Sequence, residues 1–156
     1  MCSRTRRGYP RIAVVAVVLG CLAPTADADP RTDYMLHCQG CHQADGRGAP
    51  GRVPSFLDYL GQFASLPSGR EYLIRVPGTS QSELSNERVA AVLNWMLQEF
   101  SPDHAQDCTA FTASEVARWR RPPLTDVESV RRRLVQEIEL GDRDRTRNAL
   151  PDNAAR

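Results

Sequence analysis

Cys38-Gln39-Gly40-Cys41-His42 is the stretch of this 156-residue sequence that decides the fold. Two thiols stand three positions apart, which places both on the same turn of a helix, and a histidine follows the second thiol directly. Gly40 has no side chain, so a bound group can approach the backbone closely at this point. The spacing predicts a site in which two sulfur atoms and one imidazole act on the same bound group.

This C-x-x-C-H pattern is the attachment sequence of covalently bound haem c. Cys38 and Cys41 are predicted to form thioethers with the vinyl groups along one edge of the porphyrin, and His42 to bind the iron as the proximal ligand. We therefore expect one covalent haem c as the cofactor, with His42 as the metal ligand. A chance match is one alternative, and a zinc site is another. The zinc ligands would be Cys38, Cys41, Cys108 and either His42 or His37.

Charge and composition exclude nucleic-acid binding as the basis of function. All 20 basic residues are arginine, and together with 19 acidic residues they give a formal net charge of +1. A charge so close to zero produces no field that attracts nucleic acid, so we expect no nucleic-acid partner. The length is sufficient for one small domain plus additional segments. The 11 prolines and 10 glycines indicate many loops.

The N-terminus has the features of an export signal. Arginines precede an uninterrupted apolar run at residues 12–20, and Ala26-Asp27-Ala28 provides the small-x-small pattern that signal peptidase cleaves. We therefore predict that residues 1–28 are a signal peptide and that the mature protein is periplasmic without a transmembrane span. The sequence that ends at Cys21 resembles a lipobox, so a lipid anchor at Cys21, and hence a membrane lipoprotein, is the alternative.

The rest of the sequence predicts helices and no strands. Asp29-Pro30 is typical of a helix start, and further helices are expected at residues 56–63, 70–76 and 112–120 and after residue 125. The clearest helix covers residues 85–100, where apolar residues recur at the spacing of one helix face. These residues are Val89, Val92, Leu93, Met96, Leu97 and Phe100.

We therefore assign the chain to the all-α class. A small helical domain is expected at residues 29–105, followed by a helical extension at residues 106–140 that packs on the outside. Residues 141–156 alternate acidic and basic side chains, which predicts a disordered tail.

The sequence from Tyr34 to His42, the proline-rich loop after it, and the helix with Asn94-Trp95 together resemble a class I c-type cytochrome over residues 31–100. The resemblance implies a small cytochrome c-like helical fold in which the first and last helices of the domain cross and wrap one haem. It also implies that Tyr34 and Trp95 lie near the crossing, where core packing is a simpler role than a redox one.

This sequence departs from that family at the position of the distal haem ligand. Its usual source is a methionine in the loop before the last helix, but residues 77–85 contain neither methionine nor histidine. An open or water-occupied distal position is one alternative. The candidate side chains are Met96, His104, Met35 and Cys108. For Met96, which belongs to the apolar face of its helix, packing in the core is the simpler interpretation.

Arginines near the predicted haem are candidates for a second role. Arg70 and Arg75 flank the middle helix, where guanidinium groups can pair with haem propionates, although solvated positions are favoured for both. Arg131-Arg132-Arg133 is interpreted as the solvated face of a helix rather than a docking patch.

Two functions follow from these observations. The leading prediction is a periplasmic monohaem cytochrome that carries single electrons and is not an enzyme, with a dehydrogenase or an oxidase as its redox partner. In that case the extension after residue 105 is a candidate docking surface. The alternative is a five-coordinate haem protein that binds small ligands, as a gas sensor or binding module. A zinc-bound or disulfide-bonded interaction domain would retain no haem.

Overall fold

The computed structural model describes residues 29–149, so the predicted signal peptide and the Cys21 anchor lie outside the described residues. Within this range the chain forms nine helices and no strand, which confirms the all-α class. None of these helices combines the length and the hydropathy that a membrane crossing requires. The helices are α1 (Pro30–His37), α2 (Gln39–His42), α3 (Phe56–Ser65), α4 (Pro67–Arg75), α5 (Pro77–Ser80), α6 (Asn86–Phe100), α7 (Pro102–Ala105), α8 (Ala113–Trp119) and α9 (Val127–Ala149).

Helix starts follow the capping signals of the sequence. Asp29 accepts a hydrogen bond from the Arg31 amide, and Pro30 occupies the first position of α1. Ser85 accepts a hydrogen bond from the Arg88 amide at the start of α6. These caps satisfy backbone N–H groups that have no partner within their own helix.

The core forms where α1 contacts α6. All six residues of the predicted apolar face of α6 are buried. Tyr34 of α1 is 1% exposed, and its ring centroid lies 5.1 Å from that of Trp95 and 5.4 Å from that of Phe100. The Tyr34 hydroxyl donates a hydrogen bond to the Gln43 carbonyl at 2.6 Å. Tyr34 therefore packs α1 onto α6 and also fixes the segment that follows the cysteines.

Residues 106–140 are bound to the body by specific side-chain contacts. Asn94 of α6 accepts a hydrogen bond from the Phe111 amide at 2.7 Å and donates one to the Phe111 carbonyl at 3.0 Å. Arg120 donates to the carbonyls of Ser80 at 3.0 Å and Leu84 at 2.7 Å. Val116 of α8 is fully buried. The segment predicted as an outer extension therefore shares the core of the domain before it.

The end of α9 differs from the predicted disorder. The helix continues past Gly141 to Ala149. Its alternating charges form ion pairs between side chains three or four residues apart, which is the spacing at which helical side chains meet. The pairs are Arg143 with Glu139, Arg145 with Asp142, and Arg147 with Asp144. The same alternation that indicates disorder thus also suits a solvated helix, and residues 150–156 lie outside the described range.

Candidate functional site

A cavity of about 320 Å³ lies between the cysteine-bearing turn and helices α3, α4, α6 and α9. This volume lies within the range that cofactor and small-molecule sites occupy. Most of its wall is apolar, and the residues of that wall include Leu60, Phe63, Leu73, Val92, Leu93 and Met96. The cavity therefore suits a largely apolar bound group.

Cys38, Cys41 and His42 all line this cavity. Helix α1 ends at His37, and Cys38 follows as its C-cap. The amides of Cys41 and His42 both donate to the Cys38 carbonyl, at 3.2 and 3.0 Å. These bonds close the single turn α2, which holds the two thiols and the imidazole on one side of the cavity. Both thiols are free, so each is available to react with a bound group.

The imidazole of His42 is held by its neighbours. It stacks on the Phe56 ring, with the centroids 4.0 Å apart and the planes inclined by 17°. Nδ1 is buried and makes no hydrogen bond of normal geometry within the described residues. Burial lowers the pKa of His42, and the backbone at Pro54 partly opposes this shift. The neutral imidazole favoured by burial is the form that binds a metal.

The arrangement of the thiols does not match a zinc site. A structural zinc site needs four ligands that converge on one point. Cys108 lies away from the cavity, with its Sγ 3.3 Å from the Ser65 hydroxyl oxygen. Among residues 29–149, no three side chains of His, Cys, Asp or Glu converge to hold a metal ion. The geometry therefore gives the zinc alternative no support.

Of the four candidates for the distal ligand, the structure brings only Met96 to the cavity. Met96 is 4% exposed, whereas Met35 is 51% exposed on α1. His104 lies against Gly61 and lines a different cavity, beside Gln62.

The arginines at the cavity are not those expected from the sequence. Arg70 forms an ion pair with Glu115 and Arg75 forms one with Glu71, both at 2.6 Å, and neither arginine lines the cavity. Among residues 29–149, the arginines that line it are Arg52 and Arg131. This placement removes the support for Arg70 and Arg75 as propionate partners.

Arg131 departs from the solvated helix face that the run of three arginines predicts. The spacing between Arg131 and the apolar residues of α9 instead predicts a position near the core. Arg131 follows Val127 by four residues and precedes Leu134 by three, which places it on the same helix face as the apolar stripe. That spacing distinguishes Arg131 from Arg132 and Arg133, which are both exposed.

Comparison with known proteins finds relatives of one kind. No protein-family model matches the chain. A cytochrome c-552 of Thermus thermophilus is 32% identical over 134 residues, which cover 74% of this chain and 89% of that protein. Another cytochrome c-552 of the same species is 32% identical over 107 residues, covering 56% of this chain and 82% of that protein. The similarity therefore extends far beyond the C-x-x-C-H motif.

Proposed function

This chain belongs to the c-type cytochromes, whose members carry covalently attached haem c, and we propose that it is a periplasmic monohaem electron carrier. The observation that carries the proposal is the presence of two free thiols and a half-buried imidazole at one apolar cavity. When bound, haem c supplies an iron that alternates between the ferric and ferrous states and so carries one electron at a time.

The residues around the cavity fit this cofactor. Cys38 and Cys41 would form the thioethers, because both thiols are uncombined and belong to one helical turn. His42 would be the proximal ligand, because its imidazole lines the cavity together with both thiols. The stacked Phe56 ring limits rotation of the imidazole and therefore favours one orientation of the ligand.

The apolar wall determines the environment of the iron. Leu60, Phe63 and Leu93 are each less than 5% exposed and line the cavity. Such side chains exclude water and lower the local dielectric constant, which is one of the ways a protein adjusts the potential of its haem. The chain therefore supplies attachment, orientation and a dry surrounding, while no side chain has to react during electron transfer.

The periplasmic location and the redox partner belong to the same proposal. The charged, apolar and small-residue segments within residues 1–28 are typical of an export signal, and they support transport of the chain out of the cytoplasm. A carrier of single electrons requires a protein that reduces it and one that oxidises it. We assign these roles to a dehydrogenase and an oxidase.

Covalent haem attachment is the experiment that tests the proposal. The protein is produced in a host that matures c-type cytochromes, and denaturing gels are stained for haem peroxidase activity. We expect staining of the wild type and loss of most of the stain in Cys38→Ser and Cys41→Ser. Cys108→Ser is the matched control, because Cys108 lies outside the cavity, and its stain should be unchanged. An unstained wild type would refute the proposal.

The distal ligand separates this proposal from the alternative of a haem protein that binds small ligands. Met96 is the one distal candidate that lines the cavity, and a five-coordinate haem would bind small gases. Carbon monoxide added to the reduced protein separates the two functions. Fast binding by the wild type supports a ligand-binding protein. Binding that is slow in the wild type and fast in Met96→Leu supports a carrier with Met96 as its distal ligand.

A further inference from the structure

We propose that Arg131, on α9, is a positioning residue that pairs with a haem propionate, so that the C-terminal extension forms part of the haem site. This inference rests on the proposed function, because it requires a bound haem c. It assigns to the extension a role in holding the cofactor that the attachment motif alone does not provide.

Helix α9 brings Arg131 to the cavity by packing against α3 and α4. Leu134 and Ile138 are buried and anchor the helix in the core. Arg131 lies one turn before Leu134 and Val127 two turns before it, and both line the cavity. The position of Arg131 is therefore fixed by its own helix and does not depend on a flexible loop.

The guanidinium of Arg131 lies over aromatic side chains of the cavity. Its Cζ is 5.4 Å from the centroid of the Tyr59 ring and 5.9 Å from that of the Phe63 ring. Both rings line the cavity, and Arg131 itself is half-buried. Stacking on the rings orients the guanidinium and leaves its N–H groups available to an anion.

Arg131 forms no ion pair within residues 29–149. Arg70 provides the comparison, because it is similarly withdrawn from water and forms a bidentate ion pair with Glu115. A charge that is partly removed from water is costly unless an anion or several acceptors compensate it. The half-buried cation at the edge of an apolar cavity therefore indicates that the bound group carries an anion.

Haem c has the required anions. Its two vinyl groups become the thioethers, and its two propionates lie on a different edge of the macrocycle. If the vinyl edge were attached to Cys38 and Cys41, the propionates would lie away from the cysteine-bearing turn. Arginine binds carboxylates through two parallel N–H bonds, so Arg131 offers the geometry that a propionate accepts.

The other charged and titratable groups near Arg131 do not supply that anion. Glu139 accepts a hydrogen bond from the Tyr59 hydroxyl at 3.3 Å. Burial raises the pKa of Tyr59, with Glu139 adding to the shift and Asp58 contributing less. Burial also raises the pKa of Tyr72, so both tyrosines are neutral at physiological pH. Arg52, the second cation at the cavity, is exposed.

The test compares Arg131→Gln with Arg132→Gln in the holoprotein. Both remove one positive charge from the same helix, but Arg132 is exposed.

The midpoint potential is measured from acidic to alkaline pH. An opposite charge in contact lowers a carboxyl pKa by about one to three units. In Arg131→Gln, we therefore expect the pH range in which the potential changes to shift toward higher pH, by about one pH unit or more. The potential at neutral pH should fall, because loss of a nearby cation favours ferric iron.

Each outcome of the comparison has a definite meaning. Arg132→Gln should reproduce the wild-type curve. The curve of Arg131→Lys should lie between those of the wild type and Arg131→Gln, because lysine retains the charge but cannot form the two parallel N–H bonds of arginine. Identical curves for Arg131→Gln and Arg132→Gln would overturn the inference. If Arg131→Gln fails to fold, Arg131→Lys decides the question, since an unshifted curve for it also overturns the inference. Absence of covalent haem from the wild type would instead refute the proposed function.

Discussion

Arg70 is the side chain whose removal tests most directly how α8 is held to the body. It forms two hydrogen bonds with the Glu115 carboxylate, from Nε at 2.7 Å and from Nη2 at 2.6 Å. Nη1 donates to the Thr109 carbonyl at 2.7 Å, and the guanidinium lies 3.9 Å from the centroid of the Phe111 ring. One side chain of α4 thus connects with three positions in and before α8.

The expected cost of Arg70→Ala follows from the burial of this ion pair. The side chains of Arg70 and Glu115 are 13% and 24% exposed. Removing one partner of a buried ion pair costs about 3–5 kcal/mol, because the other charge remains without compensation. Water reaches Glu115 in part, so we expect the lower end, about 3 kcal/mol. Arg70→Lys keeps the charge but loses the bidentate geometry, and about half of that cost is expected.

Urea unfolding of the holoprotein, followed by far-ultraviolet circular dichroism, measures these free energies of unfolding. Arg47→Ala is the matched control, because Arg47 pairs with Asp45 at 3.0 Å with side chains 72% and 54% exposed. An exposed pair contributes less than about 1 kcal/mol. If Arg70→Ala and Arg47→Ala lost the same stability, the argument from burial would be wrong.

Three further substitutions have defined effects in the same urea assay. Gly69→Ala should destabilise by about 1–3 kcal/mol, because its new Cβ would lie 2.2 Å from the Phe63 carbonyl oxygen. Gly141→Ala has open space around its Cβ and should stabilise by about 0.5–1 kcal/mol if α9 is helical at this residue; no change would contradict the helix. Asn94→Ala should cost about 2 kcal/mol, because the amide and carbonyl of Phe111 lose their partner. For Asn94, a loss below that of Arg47→Ala would contradict the assignment.

Features that depend on neighbouring residues were predictable from the sequence. The caps at Asp29 and Ser85 depend on a side chain two or three residues from the amide it accepts. The buried face of α6 follows from helical periodicity, because residues at that spacing share one side of the helix. The motif at residues 38–42 is equally local, since one helical turn is sufficient to bring its three functional side chains together.

Features that depend on residues far apart in the chain were not predictable in the same way. Arg70 was a propionate candidate because the sequence does not show that Glu115, 45 positions later, lies beside it. His104 was a distal candidate for the same reason, although it packs on Gly61 outside the cavity. The prediction of a disordered tail at residues 141–156 rested on charge alternation, which is compatible with both a disordered segment and a solvated helix. The structure places residues 141–149 in α9.

The position of α9 changes how a docking role for the extension has to be tested. Deletion of residues 106–156 would remove any docking surface, but it would also remove Val127 and Arg131 from the cavity and leave Asn94 without its partner. Slower reduction by a partner protein would then have two causes.

Charge reversal at Arg132 and Arg133 separates these two causes, because both side chains are exposed and lie outside the cavity. If the extension docks a partner through this face, reversal slows electron transfer while the haem spectrum and midpoint potential stay unchanged. An unchanged rate would rule out docking through these two arginines and leave α9 with its role at the cavity.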